Sequence, residues 1–432
     1  MSEEYKGLVV VIPTRNRAAM AMNAIRSVLS QPDCMASVLV ADNSTDAHES
    51  ASLAQFCNAL DDARLRYITP PEPLSMTRNY DWAIRQALQL HEVNHFALLT
   101  DRMVFKSGQL AEITHLARLY PQNIISYRHD KIVDYTTPIR IEQYPWTGKV
   151  FRLSAERLLL LSSQIVFHEA LPRIMNCIVP RNVFEAINER YESLFDSIAP
   201  DFNFCYRCLE LYESIVYYDK APLMHYGLNR SNGESQARGI ASKDHVDFIA
   251  NLGAKPFNFA APIPEILTVG NAIIHEYCYV KEETHSPKFP EVDKAKYLRQ
   301  MAREVAELQN PQLKKEMQAV LAGHGWIEPA QLPQVSETHS TQLKALSLKR
   351  VREKIRWELS KLRHLSRSNK AKPVWIFLMK QFKISPPEGN KFIFGTITEA
   401  MEYVDKFPRR RCTTLEHLSF LQPVSLHSED GI

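Results

Sequence analysis

Leu8-Val9-Val10-Val11-Ile12-Pro13-Thr14-Arg15-Asn16-Arg17 is the stretch on which the fold turns. Five apolar, mostly β-branched residues in a row are the pattern of a strand buried on both faces. The polar, proline-broken residues after them read as a turn, and residues 17–30 then take on helical character. The unit repeats. Strand-like runs at residues 37–41, 65–68 and 95–99 alternate with helical patterns at residues 54–60, 76–90 and after Ser107. This alternation predicts an α/β protein with a parallel sheet and helices on both faces. Ligands of such sheets bind beyond the carboxyl ends of the strands.

Those ends carry a matched set of residues. Strand one runs into Pro13-Thr14-Arg15-Asn16-Arg17, strand two into Asp42-Asn43-Ser44-Thr45-Asp46, and strand four into Thr100-Asp101-Arg102. On one edge they offer acceptors for ribose and base, a carboxylate for a divalent cation, and several arginines. A nucleoside diphosphate needs that combination. One Asx-rich turn is ordinary turn and cap chemistry; three on one edge carry the reading. Neither GxGxxG nor a P-loop pattern occurs, which argues against dinucleotide and P-loop nucleotide sites.

At 432 residues the chain exceeds what a single core usually organises. Its 45% hydrophobic and 23% charged content is that of a soluble globular protein. Residues 1–6 are polar and carry Glu3 and Glu4, unlike a signal peptide. No uncharged apolar run reaches the roughly 18–20 residues of a membrane span. Seven cysteines, a sparse and odd count, suit a reducing compartment. The expected location is cytoplasmic. The expected organisation is a nucleotide-binding domain at residues 1–250, a helical extension at 251–330, a linker at 331–345 and a basic helical region at 346–432.

The motifs, in order, resemble those of the family 2 glycosyltransferases, inverting enzymes of the GT-A fold, over residues 7–239. The resemblance implies a Rossmann-type mixed sheet followed by a mostly helical C-terminal region. It makes Pro13, Thr14, Arg15, Asn16 and Arg17 the nucleotide loop and Asp42 the partner of the base. Arg78 and Asn79 would line the donor pocket at a helix start. Thr100, Asp101 and Arg102 stand where the family has its metal-binding Asp-x-Asp. Here that motif is Asp101-Arg102-Met103, with one carboxylate, so Arg102 is an alternative source of neutralising charge. Asp101 and His225 are the candidate ligands for Mg2+ or Mn2+. Residues 227–233, bracketed by Gly227 and Gly233, would form a phosphate-side loop.

Inverting transfer needs a base to deprotonate the acceptor hydroxyl as it attacks opposite the leaving diphosphate. By resemblance that base is Asp201, with Asp196 as its rival. The plain alternative for Asp201 is a helix N-cap ahead of the apolar run 202–211. His225 taken alone is as well a structural histidine, and the Cys205/Cys208 pair lacks partners for a zinc or redox role. Trp146, Asn176 and Cys177 fall on the expected acceptor side. The implied activity is hexosyl-type transfer from a nucleoside-diphosphate sugar to a hydroxyl of a glycan or lipid-linked acceptor, in bacterial surface polysaccharide assembly. Two rivals stand beside it. A nucleotidyltransferase usually has a Gly- and Lys-rich activating loop that residues 13–17 lack; a non-catalytic scaffold would explain the altered Asp-x-Asp.

Between Lys344 and Lys383 thirteen Lys/Arg face only Glu353 and Glu358, a balance of +11 against +3 for the whole chain, leaving −8 elsewhere. Leu348, Val351, Ile355, Leu359 and Leu362 recur at helical spacing within it. An in-plane helix drawn to anionic lipid, making the enzyme peripheral to the inner membrane, and a basic helix packed on the acidic remainder both fit. No nucleic-acid-binding module accompanies the charge, so nucleic acid is not an expected partner.

Overall fold

The computed structural model describes residues 5–31, 34–136, 139–143, 146–240 and 259–325, with the backbone of two short strands, Ile393–Phe394 and Gln422–Pro423. The expected linker at 331–345, the amphipathic stripe and the rest of the basic region at 346–432 lie outside the described residues.

The opening motif forms β1 (Leu8–Thr14), every residue of it buried. It is followed by α1 (Ala18–Leu29), β2 (Ser37–Asp42), α2 (Ala47–Leu60), β3 (Leu65–Ile68), α3 (Met76–Ala87) and β4 (His95–Leu98). β1, β2, β3 and β4 are parallel neighbours in the order β4-β1-β2-β3. The second half of the sheet is mixed. β5 (Met103–Phe105), β6 (Ile125–Val133), β7 (Ile139–Glu142), β8 (Val150–Ser154), β9 (Cys177–Pro180) and β10 (Ser214–His225) extend it. β9 joins the halves, antiparallel to both β4 and β6, and β6 runs parallel to β10.

Both faces are covered, which is why β1 reads as an unbroken apolar run rather than an alternating one. Val10 and Ile12 pack with α1, α2 and α4 (Gln109–Leu119). Val9 and Val11 point the other way, towards α3, α5 (Ala155–Ser163), α6 (Arg181–Arg190) and α7 (Pro200–Leu211). After β10 come α8 (Asn232–Arg238), α9 (Val269–Thr284), α10 (Lys294–Glu307) and α11 (Pro311–Gly323).

Ile273, Tyr277 and Val280 of α9 belong to the same core as Val9, Tyr80 and Phe204. After residue 250 the described elements are the three helices α9, α10 and α11 and the two short strands, and α9 is built into this core rather than appended to it. All the helices and strands named here belong to one compact unit. No described helix is long and apolar enough to cross a membrane.

Candidate active site

The parallel register brings the strand ends together. Thr14 is paired with Asp42 across β1 and β2, and its hydroxyl donates to Asp101 Oδ2 at 2.8 Å. Arg17, at the foot of α1, places its Nε 2.8 Å from the same oxygen. Asp101 is fully buried, and its Oδ1 has no hydrogen-bond partner. Two further buried atoms on this edge are also unpartnered, Thr100 Oγ1 and Asn79 Oδ1. Buried polar atoms normally find partners, and Asp101 Oδ1, beside Thr14 and Arg17, leaves one acceptor open at the strand ends.

Asp42 is committed in part. Tyr67 donates to its Oδ2 at 2.7 Å and the Ser44 amide to its Oδ1 at 3.0 Å. Asn16 is a staple. At φ +54° it sits in the left-handed region, its Oδ1 accepts from the amides of Thr45 and Asp46, and its Nδ2 donates to Thr45. Its side chain therefore ties two loops rather than facing a ligand. Arg15 likewise reaches the Leu74 carbonyl, and Pro13 is buried within β1. Asn43, which the motifs pointed at only in passing, clamps the third loop by accepting from Leu74 N and donating to Leu74 O.

This edge continues into a cationic wall that begins at Arg102, the residue after Asp101. Arg102 Nη1 is 3.0 Å from His225 Nε2. A guanidinium only donates, so that nitrogen is an acceptor and the histidine is neutral. Burial first, and then Arg102, His129, Lys131 and Arg173, hold His225 well below the usual histidine range. His129 stacks edge-on against it, ring centres 5.8 Å apart, and burial with Arg173, Lys131, Arg128 and Lys106 depresses it too. The β6/β10 register sets this up by pairing Leu223 with His129 and His225 with Lys131. Sequence reading missed His129, Lys131 and Arg173, since no motif contains them. Arg230 closes the wall by donating to Asn16 O at 3.1 Å.

Gly227 is required where it is. At φ +65°, a Cβ there would lie 2.9 Å from Met20 Cε and 3.4 Å from Arg102 Cγ. The segment 227–233 is ordered into a short helical turn at Leu228–Arg230, pinned where the Leu228 amide donates to Asp134, and then the start of α8.

Asp201 lies in the first turn of α7. The cap position belongs to Ala199, so the N-cap alternative for Asp201 does not hold. Burial raises its pKa from the ordinary carboxylate value, opposed by Arg173 and by the amides of Asp201 and Phe202. Tyr80 locates it. This buried phenol is raised far above its normal value, by burial first, then by Asp201 and Asp101, with Arg102 and Arg17 pulling the other way. Asp101 and Asp201 thus both act electrostatically on the Tyr80 phenol. Asp196, the rival, is tied elsewhere: Tyr279 donates to its Oδ2 at 3.0 Å and Arg207 lies 3.7 Å away.

Several expected contributors are structural. Trp146 is 8% exposed, and Asn176 and Cys177 are fully buried, Asn176 donating to three backbone carbonyls. None presents a surface to a sugar. Cys205 and Cys208 are free thiols buried in the core of α7, with burial pushing both pKa values up. A cavity of about 490 Å3 opens between α3 and residues 193–196, lined by Thr77, Arg78, Trp82, Arg85, Phe195 and Asp196 among others.

For a divalent cation the fit is partial. Among the described residues no three His, Cys, Asp or Glu side chains gather as a metal site. The orphaned Asp101 Oδ1 suits a single carboxylate contact to a cation completed by phosphate oxygens and water. His225 does not suit a ligand's role while its Nε2 accepts from Arg102.

A parallel half-sheet joined by β9 to a mixed half, with an acidic strand end at the seam and arginines beside it, defines a GT-A-type glycosyltransferase domain. Residues 9–138 match the model of glycosyl transferase family 2. Among curated proteins no sequence matches the chain. Among solved structures, S. aureus TarS residues 1–349 in complex with UDP-GlcNAc aligns at 12% identity and a TM-score of 0.41, over 73% of this chain and 71% of that one. A longer S. aureus TarS structure aligns at 11% identity and 0.38, covering 73% of this chain and 53% of its own. At these scores the likeness adds nothing to the fold, which rests on the strand order.

Proposed function

We propose that this glycosyltransferase is an inverting, hexosyl-type enzyme that moves a sugar from a nucleoside-diphosphate sugar to a hydroxyl of a glycan or lipid-linked acceptor in bacterial surface polysaccharide assembly. The reading is carried by Asp101, fully buried at the strand edge between Thr14 and Arg17 with its Oδ1 unpartnered. In this reading Asp42 engages the base, and Thr14, Arg17 and Asp101 hold the donor's ribose and diphosphate side. The acceptor oxygen bonds to the anomeric carbon as the bond from that carbon to the diphosphate oxygen breaks. The acceptor proton passes to Asp201, and the electron pair leaves with the diphosphate. A raised carboxylate pKa suits the proton-accepting step, because proton transfer is helped when base strength approaches the working pH.

Arg102 stabilises the charge gathering on the leaving group, and neutral His225 orients that guanidinium. Mg2+ or Mn2+, bound at Asp101, would add charge neutralisation there. The cavity at Arg78, Trp82 and Phe195 is suited to the acceptor, since aromatic faces pack well on sugar rings. The proposal places the enzyme in the cytoplasm, attached peripherally to the inner membrane through the basic stretch 344–383. Pelleting with anionic vesicles, with and without residues 331–432, tests that part; equal pelleting of both forms refutes it.

The decisive experiment is Asp201→Asn. Turnover of the nucleotide sugar selected by a thermal-shift panel of UDP, GDP, CDP and TDP, with and without Mn2+, is expected to fall about 1,000-fold. The nucleotide-induced shift should persist. Near-normal turnover would remove Asp201 from the reaction.

A further inference from the structure

The turn that delivers Asp201 is built by a helix far outside the family 2 segment. Glu276, on α9, is fully buried, and it accepts from the amides of Ile198 at 3.2 Å and Ala199 at 2.7 Å, and from Asn203 Nδ2 at 3.2 Å. These donors are neutral. Buried carboxylates are ordinarily paired with a cation, so an acid here needs a reason. Its neighbour His275 accepts from the Ala260 amide at Nδ1, 2.8 Å, leaving Nε2 to donate to Ser197 Oγ at 2.7 Å. Ser197 is held in the left-handed region at φ +64°, unusual for a residue with a Cβ.

One turn further along α9, Tyr279 donates to Asp196. Asn203 Oδ1 accepts the Asp196 amide at 3.2 Å. Residues 196–199 are therefore held from several sides, and the next residues are Pro200 and Asp201. The same turn is tied to α3, where Thr77 Oγ1 donates to Ser197 O at 2.9 Å.

We infer that Glu276 is a positioning residue for the transfer reaction, holding the strained 196–199 turn so that Asp201 enters the cleft at the start of α7. The inference rests on Asp201 being the base. Glu276 caps the free amides that precede α7, work usually done by a local side chain; here Ala199 holds the cap position and offers none. Burial pushes its carboxyl pKa to about 8, with Asp201 adding to the rise. A largely protonated acid accepts these amides without setting a full negative charge beside the base.

The test compares Glu276→Ala, Glu276→Gln and Asp201→Asn in the full chain, following hydrolysis of the glucose and N-acetylglucosamine esters of the nucleoside diphosphate that the panel selects, with water in place of the acceptor. Glu276→Ala is expected to lower kcat about 100-fold, the scale of a displacement of roughly 1 Å at a catalytic group. KM for the donor should stay within about twofold, because the donor wall is held independently. Glu276→Gln keeps an oxygen for the two amides and should restore kcat to within about fivefold. A normal kcat in Glu276→Ala, with Asp201→Asn inactive, overturns the inference and leaves the base assignment standing. A joint loss of kcat and donor binding reduces Glu276 to a folding role and also overturns it. An active Asp201→Asn enzyme removes both. Should Glu276→Ala fail to fold, Asn203→Ala takes its place, with kcat expected down about tenfold at unchanged donor KM; an unchanged kcat there is equally fatal.

Discussion

The two walls of the cleft are held in place by different means. On the donor wall, Asn16 ties to Thr45 and Asp46, Asn43 to Leu74, and Thr14 to Asp101, all within the first hundred or so residues. On the base wall, Asp201 depends on a turn whose main anchor, Glu276, lies 77 residues beyond Ala199. The first is a set of loops that lock one another, each readable as a short motif. The second is a loop with a strained residue that a distant helix keeps in shape. Chemistry that must recognise a ligand is written locally, whereas placement of the reacting group is delegated to the tertiary structure.

The sharpest way to break this contrast is to remove a donor-wall charge. Arg102→Ala should reduce kcat about 100-fold or more, since one group stabilising a developing anion contributes on that scale. Its melting temperature should stay close to normal. A variant that keeps its rate would shift the leaving-group role onto Lys131 and Arg173. Gly227→Ala probes how tightly the two sides of that wall are fitted. Its left-handed backbone and the 2.9 Å approach to Met20 predict a loss of about 1–3 kcal/mol in urea unfolding. Unchanged unfolding would mean that the segment relaxes freely.

The smallest effect sharpens the contrast from the base wall. The Glu276 pKa of about 8 in the folded chain stands above its ordinary value of 4.5. Between those values the folded state keeps a proton that the unfolded state has released. Its contribution is therefore complete at the acid end and declines as pH rises towards 8. Asp201, Ser197 and Asn203 face this carboxyl, and His275, lowered to about 4 by burial, works in the opposite sense by losing stability as pH falls from 6.5. Urea midpoints between pH 6.5 and 8.5 should decline in the normal protein and flatten in Glu276→Gln; parallel curves would contradict the raised pKa.

The donor half was legible because a strand buried on both faces leaves an unbroken apolar run, and parallel strands gather their ends on one edge. Asp42 and Asp101 meet at Thr14, which pairs with the first across the strands and donates to the second. What the motifs overstated is the ligand role of single residues. Asn16 looked like part of a nucleotide loop, yet its side chain is spent on the neighbouring turn. His225 had the position of a metal ligand and proves to be a neutral partner of Arg102. Sequence reading missed His129 and Arg173 because nothing local distinguishes a histidine on a buried strand, or an arginine before β9, from ordinary packing. Glu276 was invisible for a deeper reason: an acid on a helix reads as solvated, and only tertiary contact shows it buried against bare amides.

The core shared by α9 and the sheet bears on where the molecule divides for experiment. A fragment ending soon after β10 would contain the family 2 segment and Asp201, yet it would expose the faces that Ile273, Tyr277 and Val280 cover and strand the amides of Ile198 and Ala199. The smallest unit worth expressing for catalysis therefore extends through α9, whatever the reach of the recognisable motifs.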